Sequence, residues 1–412
     1  MPESKIKSFQ EYKKPYLPRE KTLVKVDPFI GKDVIKIFTG QRRVGKSYML
    51  FQIGDIILSN NEKANIIYIN KEFNEFDFIQ DYNDLHDYVE SRLVENANCL
   101  FIDEVQDITH FEKALRSLLA KGGIDIYCTG SNADLLSGDI AGYLSGRSVE
   151  IPVFSLSYDE FQLFHDLPES RDTFNKYLRY GGLPYLMHLQ LRDHIIFDYL
   201  KNIYSTIIYK DVVRRFNIRN TYFLEQLVKF CADNTGQLFS AKRISDFLKS
   251  QRVNMSVQAI LNYLEYLTDA FLIFKVKRME ISGRKLFETG EKFYFQDIGL
   301  RNSIIGFQAA DISKLLENIV FMHLVSRGYQ VKIGSQGEHE IDFVAEKLND
   351  TLYIQVTYTM TEEKTILREA GNLLKIKDNH PKYIISMDEF PASNYSGIIQ
   401  MNIREFLMGM LI

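Results

Sequence analysis

Residues 40–47 read Gly-Gln-Arg-Arg-Val-Gly-Lys-Ser, and this stretch decides the fold. It fits the phosphate-binding loop pattern G-x-x-x-x-G-K-[ST]. An apolar run at 34–38 precedes it as a buried strand would, and an apolar-rich segment of helical length follows at 48–58. In that setting, backbone N–H groups at the positive end of a helix cradle the phosphates of a nucleotide. The alternative, a glycine turn before an ordinary helix, is disfavoured by these flanks.

The side chains of the loop have distinct expected roles. Lys46 would reach the β- and γ-phosphates, and the hydroxyl of Ser47 would hold Mg²⁺. We expect Gly40, Arg43 and Gly45 to complete the nucleotide-binding loop.

Apolar strand-like runs alternate with helical segments through the first 155 residues. The runs lie at 34–38, 65–69, 99–102, 124–128 and 149–154. Alternation of this kind predicts an α/β fold with a parallel sheet covered by helices. Ligands bind beyond the carboxyl ends of such strands, so polar residues at those ends are candidates for the site.

The third run ends in two acids, Asp103 and Glu104, which is typical of a Walker B segment. Asp103 would hold Mg²⁺, directly or through water, and Glu104 would orient and polarise the attacking water. Strands often end in acids, but the position of this one after the phosphate-binding loop makes the pattern specific.

Polar residues next to the fourth and fifth apolar runs are also candidates for the site. After the fourth run, Asn132 is our preferred contact to the γ-phosphate or the attacking water, with Ser131 close behind; either residue could instead cap a helix. Arg147 lies just before the fifth run. It could project into a neighbouring subunit's nucleotide as an arginine finger, and a structural ion pair is the alternative.

These elements in this order resemble the AAA+ superfamily. Residues 37–47 look like the corresponding segment of a widespread group of prokaryotic AAA+ ATPases that carry a conserved C-terminal domain of unknown function. Other matching segments are Phe-Ile-Asp-Glu-Val-Gln at 101–106, Thr-Gly-Ser-Asn at 129–132, Leu-Ser-Gly-Arg at 144–147, Tyr-Gly-Gly-Leu-Pro at 180–184 and Glu-Ile-Asp-Phe-Val at 340–344. The resemblance covers nearly the whole chain. It implies an AAA+ ATPase core at 1–155 that hydrolyses ATP with Mg²⁺, followed by a helical lid and linker at 156–220.

Residues 221–300 read as a winged-helix-like domain, because three helical patterns precede a strand pair. The third helix, 256–267, has no basic residue, which argues against base readout in the major groove. If this domain contacts DNA, backbone phosphates are the expected target, and protein docking is the equal alternative. The candidate phosphate contacts are Lys275, Lys277, Arg278, Arg284 and Lys285.

Charge is distributed unevenly along the chain. The formal net charge is −4, yet residues 200–300 hold sixteen Lys and Arg against ten Asp and Glu. A basic middle on an acidic chain suggests a phosphate-facing surface. A solvated face of mixed charge is the alternative.

Residues 301–412 resemble the restriction-endonuclease-like fold. In active members, an acid on the central strand and a D/E-x-K pair on the next strand hold metal and activate water. Asp342 fits the first position, and Glu317 could assist from a helix. The pair reads Gln355-Val356-Thr357 here, which lacks both the acid and the ammonium. We therefore expect a degenerate, non-cleaving domain; a chance α/β unit with solvated acids is the alternative.

Composition excludes several other classes of protein. Cys99, Cys128 and Cys231 have no metal-type spacing, so buried thiols in a reducing cytoplasm are expected. No apolar stretch is long enough to span a bilayer, and the lysine-rich N-terminus does not read as a secretory signal. We expect a cytoplasmic protein with no membrane association.

Two functions fit these patterns. The first is an oligomeric motor or remodeller, in which ATP hydrolysis at the subunit interfaces of a homo-oligomeric ring drives movement on DNA. DNA would then contact residues 200–300 and the C-terminal domain. The alternative is an ATP-dependent switch or scaffold that hydrolyses slowly and acts on protein partners.

Overall fold

A computed structural model describes residues 7–95, 97–133, 142–250, 255–283, 285–337, 339–361, 363–389 and 393–409. Arg284 and the side chain of Lys285, named above as phosphate contacts, lie outside the described part. The chain forms two compact units, which divide between Phe154 and Ser155, with Asp269–Phe271 grouping with the first. No helix in the described ranges is long and apolar enough to cross a membrane.

The first unit is built on a five-stranded sheet in the order β2-β3-β4-β1-β5, with every pair parallel. The strands at 35–39 and 98–103 are buried throughout and the one at 124–130 nearly so, as expected inside a parallel sheet with both faces covered. The predicted α/β sheet is therefore confirmed, with strand ends within a few residues of those expected. The strands are β1 (Ile35–Thr39), β2 (Asn65–Asn70), β3 (Asn98–Asp103), β4 (Ile124–Gly130) and β5 (Ser148–Pro152).

This strand order positions the site. Because β4 lies between β1 and β3, the carboxyl ends of these three strands are neighbours at one edge of the sheet. The loop after β1, the two acids after β3 and the polar residues after β4 therefore meet there.

The helices of the first unit complete its core. The ring of Phe9 in the first helix packs with centroid distances of 5.9 Å to Phe51 and 5.6 Å to Phe101, so the N-terminal segment is part of this core. The helices are α1 (Phe9–Tyr12), α2 (Glu20–Val26), α3 (Lys46–Asn60), α4 (Tyr82–Glu90) and α5 (Phe111–Lys121).

The chain after Ser155 begins with helices. Ser157 starts the first of them in a capping box with Glu160. A π-helix, Ile207–Arg214, directly continues one α-helix. The α-helices are α6 (Tyr158–His165), α7 (Arg171–Tyr180), α8 (Asp193–Thr206), α9 (Thr221–Asp233), α10 (Ala241–Ser250), α11 (Val257–Asp269), α12 (Ile298–Ile305), α13 (Ile312–Ser326), α14 (Glu363–Leu374) and α15 (Ile403–Leu407).

The Tyr-Gly-Gly-Leu-Pro segment at 180–184 has a structural role within the second unit. The N–H of Gly182 donates to Oδ2 of Asp297 at 2.8 Å, and its carbonyl accepts from the N–H of Leu156 at 2.7 Å. The other oxygen of Asp297 caps α12 through the N–H of Leu300. The buried carboxylate of Asp297 therefore links the turn after α7 to the start of α12 through hydrogen bonds.

An eight-stranded mixed sheet occupies the rest of the second unit, in the order β12-β13-β11-β10-β9-β8-β6-β7. The hairpin β6–β7 follows the three helices α9 to α11, as the winged-helix interpretation expects. However, β6 also pairs in parallel with β8, so the sheet runs across the domain boundary that we placed at residue 300. The strands are β6 (Ile273–Glu280), β7 (Lys285–Phe295), β8 (Gln330–Gln336), β9 (His339–Lys347), β10 (Asp350–Val356), β11 (Lys382–Ser386), β12 (Ser393–Tyr395) and β13 (Ile398–Asn402).

Candidate functional site

Two glycines shape the loop after β1. Gly40 has a φ of 144°, and a Cβ there would lie 2.2 Å from the carbonyl oxygen of Val153, so only glycine fits. Gly45, with a φ of 99°, directly precedes α3. The buried amino group of Lys46 donates to the carbonyls of Gly40 at 2.8 Å and Gln41 at 3.0 Å. A helix N-terminus with a lysine folded over it has the donors that bind an anion.

The two acids lie together at the end of β3, and one hydroxyl from β4 contacts both. Asp103 and Glu104 are 2% and 7% exposed. The hydroxyl of Thr129 donates to Oδ1 of Asp103 at 2.5 Å and accepts from the N–H of Glu104 at 3.0 Å. Asn70, at the end of β2, donates to the other oxygen of Asp103 at 3.1 Å. Three neighbouring strands therefore fix the orientation of the acid pair.

The two acids differ in their electrostatics. Burial and the charge of Glu104 raise the pKa of Asp103 to about 6, against hydrogen bonds from Thr129 and Ser47 that lower it. Burial also acts to raise the pKa of Glu104, but the charges of Lys46 and Arg42, together with hydrogen bonds from Gln106 and Ser131, leave that pKa below its ordinary value. Glu104 is therefore held ionised, as a group that accepts a proton must be.

These residues fit a nucleotide with Mg²⁺. The hydroxyl of Ser47 hydrogen-bonds the carboxyl of Asp103, which places two oxygen ligands of the kind Mg²⁺ prefers at the start of α3. The described residues contain no group of three or more His, Cys, Asp or Glu side chains suited to a metal.

The polar residues after β4 are buried beside the acids. Ser131 donates from its hydroxyl to Oε2 of Glu104 at 3.1 Å, and Gln106 donates to the same oxygen at 2.5 Å. Asn132 is 1% exposed. The structure thus brings Ser131 to Glu104, while the contact of Asn132 with phosphate or water stays a prediction.

Two arginines from the sequence analysis point to solvent. Arg147 is exposed, and its backbone carbonyl accepts from the N–H of Ile35 at the start of β1. No acid in the described ranges forms an ion pair with the Arg147 side chain, so the structural alternative gains no support. Arg43 is also exposed, with a φ of 70°. Its contact with nucleotide stays a prediction.

Sequence reasoning did not single out Arg42, which directly precedes Arg43. Arg42 is 6% exposed, and its Nη1 lies 3.3 Å from Oε1 of Glu72. Its charge acts on Glu104 across the site. The only sequence signal was its place inside the loop, where nothing distinguishes it from Arg43.

A second cluster lies in the other unit, at the acids expected of a nuclease-like domain. Lys292 of β7 is 3% exposed, and its amino group lies 2.8 Å from carboxylate oxygens of both Glu317 and Glu340 and 3.8 Å from Asp342. Burial first, and then the charge of Glu317, raise the pKa of Asp342 well above its ordinary value. Tyr294 also donates to Glu317 at 2.5 Å. The sequence analysis brought Asp342 and Glu317 together correctly but missed the lysine.

The residue that β10 places beside these acids, Gln355, carries no charge. Gln355 accepts from the N–H of Asp342 at 3.0 Å and donates to Glu369 at 2.8 Å, so it acts as a structural bridge. Thr357 is buried. The ammonium beside the acids comes from the hairpin β6–β7, which the sequence analysis had assigned to a different domain.

The basic residues of 200–300 fall into two groups. On the hairpin, Lys275 lies 3.1 Å from Glu291, and Arg278 is partly buried and donates to Ser335 at 3.2 Å. Around the π-helix the cations are exposed, and no described acid lies within ion-pair distance of these four: Lys201, Lys210, Arg214 and Arg219.

Comparison with protein families gives two matches. Residues 32–162 match the model described as an AAA domain, and residues 171–311 match a domain of unknown function, DUF8612. The first range contains all of the site residues of the first unit. The second runs from α7 to the end of the short turn before α13.

The chain is also similar to curated proteins and to solved structures. An uncharacterised protein of Haemophilus influenzae is 35% identical over 96% of this chain and 99% of its own length. An uncharacterised protein of Methanocaldococcus jannaschii is 31% identical over 86% of this chain and 82% of its own length. Two solved structures superpose on this chain with a TM-score of 0.34 each. The Aeropyrum pernix ORC1 protein in complex with DNA is 11% identical, and the match covers 72% of this chain and 94% of that one. The Thermotoga maritima RuvB Holliday junction branch migration motor is 14% identical, and the match covers 69% of this chain and 95% of that one. A score this low bears on neither function nor partner.

The relatives at 35% and 31% identity span a bacterium and an archaeon and cover most of each chain. The AAA domain match lies on the sheet that carries the phosphate-binding loop. The chain belongs to a prokaryotic AAA+ ATPase family in which the AAA domain is followed by a conserved domain of unknown function.

Proposed function

We propose that this protein binds ATP with Mg²⁺ and hydrolyses it at the loop after β1. The observation that carries the proposal is the contact of the Thr129 hydroxyl with both Asp103 and Glu104, at the sheet edge where Lys46 closes the loop. Glu104 is buried and ionised there, which a non-hydrolysing nucleotide sensor does not need.

Each residue has a proposed part. The loop residues Gly40, Arg43 and Gly45, with Lys46, hold the phosphates, and Ser47 with Asp103 hold the metal. Mg²⁺ bound there would neutralise charge on the phosphate oxygens.

Glu104 performs the proton transfer. The oxygen of the attacking water bonds to the γ-phosphorus as the bond from that phosphorus to the bridging oxygen of ADP breaks. One water proton passes to Glu104, the other remains on the phosphate, and ADP and phosphate leave. Asn132 orients the water, and Arg147 of a neighbouring subunit stabilises the charge that develops.

Nucleotide binding tests the proposal directly. Lys46→Ala should abolish binding of a fluorescent ATP analogue and phosphate release, because the cation that meets the phosphates is lost. Lys63→Ala removes an exposed lysine beyond α3 and should leave both unchanged. Unchanged binding or turnover in Lys46→Ala would show that the site is elsewhere.

We also propose a DNA partner, bound by the exposed cations around the π-helix. The π-helix is a rare element that occurs frequently at functional sites. Exposed Tyr209 and Tyr222 flank these cations and offer rings on which bases stack. Few acids oppose them, so phosphate contacts would cost little desolvation of existing ion pairs. The hairpin cations are less available, because two of them already have partners.

Salt dependence tests the DNA surface. We expect single- and double-stranded DNA to bind and stimulate the ATPase, with affinity that falls steeply as salt rises. Replacing Lys210, Arg214 and Arg219 by Ala should lower the slope of log K against log salt by about 2–3. For comparison, replacing the hairpin residues Lys275 and Lys277 by Ala should lower this slope less for each cation removed. DNA that neither binds nor stimulates would rule out this partner while leaving ATP hydrolysis standing.

The alternative is an ATP-dependent switch that docks protein partners. Apolar side chains at the surface of α11 favour it: Val257 and Leu261 are 41% and 38% exposed, on the helix that would read bases in a winged helix. Slow turnover that is indifferent to DNA, with assembly triggered by ATP, would support the switch.

We propose that the C-terminal cluster does not cleave DNA, because Lys292 is fixed among the carboxylates where a metal would have to bind. Mg²⁺-dependent nicking of plasmid DNA that Asp342→Ala abolishes would overturn this. We further propose a cytoplasmic homo-oligomeric ring, for which the exposed Arg147 is the structural basis.

A further inference from the structure

Gln106 lies in a short turn that directly follows the two acids. Residues Val105–Asp107 form one turn of 3-10 helix after β3, and the N–H of Asp107 donates to the carbonyl of Glu104 at 3.1 Å. Glu104 has a φ of 57°, in the left-handed region that residues other than glycine enter only where their surroundings hold them there. The acid and the glutamine two positions later therefore belong to one tightly turned segment at the site.

The side-chain amide of Gln106 contacts the proposed proton acceptor directly. Its nitrogen donates to Oε2 of Glu104 at 2.5 Å, and the hydroxyl of Ser131 donates to the same oxygen at 3.1 Å. An ionised carboxylate only accepts hydrogen bonds, so the NH₂ end of the amide must face Glu104 and the amide oxygen must face away from it. Both donors meet Oε2, which leaves Oε1 of Glu104 for the proton of the attacking water.

The amide oxygen of Gln106 is buried, and none of the described residues donates a hydrogen bond to it. Leaving a buried acceptor unpaired costs free energy, and folded proteins rarely keep one without a reason. Because this oxygen shares a carbon with the nitrogen that binds Glu104, it lies beside the acid and not elsewhere in the core. The site thus holds a second acceptor next to Glu104.

We propose that Gln106 is a further catalytic residue, whose amide oxygen accepts a hydrogen bond from the water that attacks ATP. The proposal rests on ATP hydrolysis as proposed above, and it adds a contact to the one proposed for Asn132. Glutamine side chains orient the attacking water in other nucleotide hydrolases.

The two acceptors match the two protons of a water molecule. One proton meets Oε1 of Glu104, and the other meets the amide oxygen of Gln106. The lone pairs of the water then remain free to attack the γ-phosphorus, which is the orientation that hydrolysis needs. Gln106 takes up no proton, so the proton that it holds stays on the water oxygen and leaves with the phosphate.

A structural role makes a different prediction. If Gln106 only held Glu104 in place, Ser131→Ala, which removes the other hydrogen bond to Oε2, would lower turnover about as much as Gln106→Met. If the amide oxygen holds the water, Gln106→Met should lose far more, because it removes the acceptor as well as the donor. Affinity for ATP should not change, since the amide contacts water and not phosphate.

The test compares Gln106→Met with Ser131→Ala and with Gln10→Met, a matched control that makes the same change at an exposed position of α1. We expect Gln106→Met to lower single-turnover phosphate release by about 10²-fold, the usual cost of misplacing a reactant. Ser131→Ala should lower it by less than about tenfold. Gln10→Met should match the wild type.

Phosphate analogues separate the water from the nucleotide. In Gln106→Met, ADP with beryllium fluoride, which mimics bound ATP before attack, should still be captured. Capture of ADP with aluminium fluoride, which mimics the transition state and includes the attacking water, should be lost. Affinity for ATP, measured by fluorescence titration, should stay close to wild type.

Opposite results overturn the proposal. Turnover in Gln106→Met close to wild type would do so, as would an equal loss in Ser131→Ala or a parallel loss of affinity for ATP. If Gln106→Met does not fold, as judged by thermal unfolding, Gln106→Lys carries the same comparison, because its ammonium keeps a donor for Glu104 and offers no acceptor. A wild type that binds ATP and releases no phosphate would overturn both this proposal and ATP hydrolysis, whereas wild-type turnover that Gln106→Met retains would overturn this one alone.

Discussion

Thr129 is the residue on which the geometry of the acid pair depends. Its hydroxyl donates to Asp103 and accepts from the backbone of Glu104, and its side chain is fully buried. Thr129→Val keeps the shape and removes both hydrogen bonds. We expect ATP turnover to fall about 10–100-fold, as for loss of other groups that orient metal ligands, and the free energy of unfolding to fall by about 1–3 kcal/mol.

The control for this change is Thr129→Ser, which keeps the hydroxyl and loses only a methyl group. Its turnover should stay close to wild type. Steady-state phosphate release and urea unfolding measure the two effects. Equal loss in the Val and Ser variants would mean that packing, rather than the hydroxyl, supports the acids.

A change at Glu104 should separate binding of nucleotide from its hydrolysis. Glu104→Gln keeps the size and the hydrogen-bonding oxygen but cannot take a proton from water. We expect ATP to bind with near wild-type affinity while phosphate release falls by about 10²–10⁴-fold. Fluorescence titration and phosphate release on the same preparation measure both. Full turnover in Glu104→Gln would assign the proton acceptor to another group.

At the scale of elements, the sequence predicted most of what is local. The strands of the first sheet and helices such as α6 and α10 follow from apolar runs and capping signals that involve near neighbours in the chain. Gly40, Lys46 and the two acids were predictable for the same reason, because each lies within a continuous motif.

What could not be predicted depends on pairing between distant strands. Thr129 meets the acids only because β4 lies between β1 and β3, and nothing in residues 124–130 specifies those neighbours. Lys292 shares a sheet with Glu340 and Asp342 of β9 because β6, its hairpin partner, pairs with β8, the neighbour of β9. A periodic pattern gives the face of a strand but not its partner, so both residues looked ordinary.

Lys292 connects the hairpin to the acids of α13 and β9, and its removal should be costly. Lys292→Met leaves buried carboxylates without their cation, which costs about 3–5 kcal/mol of folding free energy near neutral pH. Urea unfolding measures the loss. Lys332→Met, which breaks a more exposed pair with Glu346, should cost less than about 1 kcal/mol.

The loss in Lys292→Met should depend on pH. Without the lysine, the pKa of Asp342 rises further above its ordinary value, so the folded state holds a proton that the unfolded state has released. Folded stability of the variant then falls as pH rises. The difference from wild type should widen between about pH 5 and pH 8. A difference that is constant or narrows with pH would mean that lost packing, not charge, explains it.

At the scale of the whole molecule, the chain combines one site suited to chemistry with a second unit that holds a buried charge cluster and a group of exposed cations. In the first unit, the acids and cations converge at an edge where a phosphate would complete them. In the second, the amino group of Lys292 lies among three acids, while the cations around the π-helix face solvent. We therefore expect any energy that this protein supplies to come from the loop after β1, with the second unit determining what is moved or bound.

The trans position proposed for Arg147 gives a prediction for the assembled protein. Glu104→Gln and Arg147→Ala subunits should each be nearly inactive alone, because each lacks one group of the composite site. Mixed in equal amounts, they should regain activity. An Arg147→Ala subunit keeps its own Glu104 and takes Arg147 from a Glu104→Gln neighbour, which by random assortment occurs at about a quarter of interfaces in a closed ring. Phosphate release from the mixture, after exchange is verified by light scattering, measures this. Both groups acting in cis, or both in trans, would give no recovery, so only a site shared between two subunits predicts it.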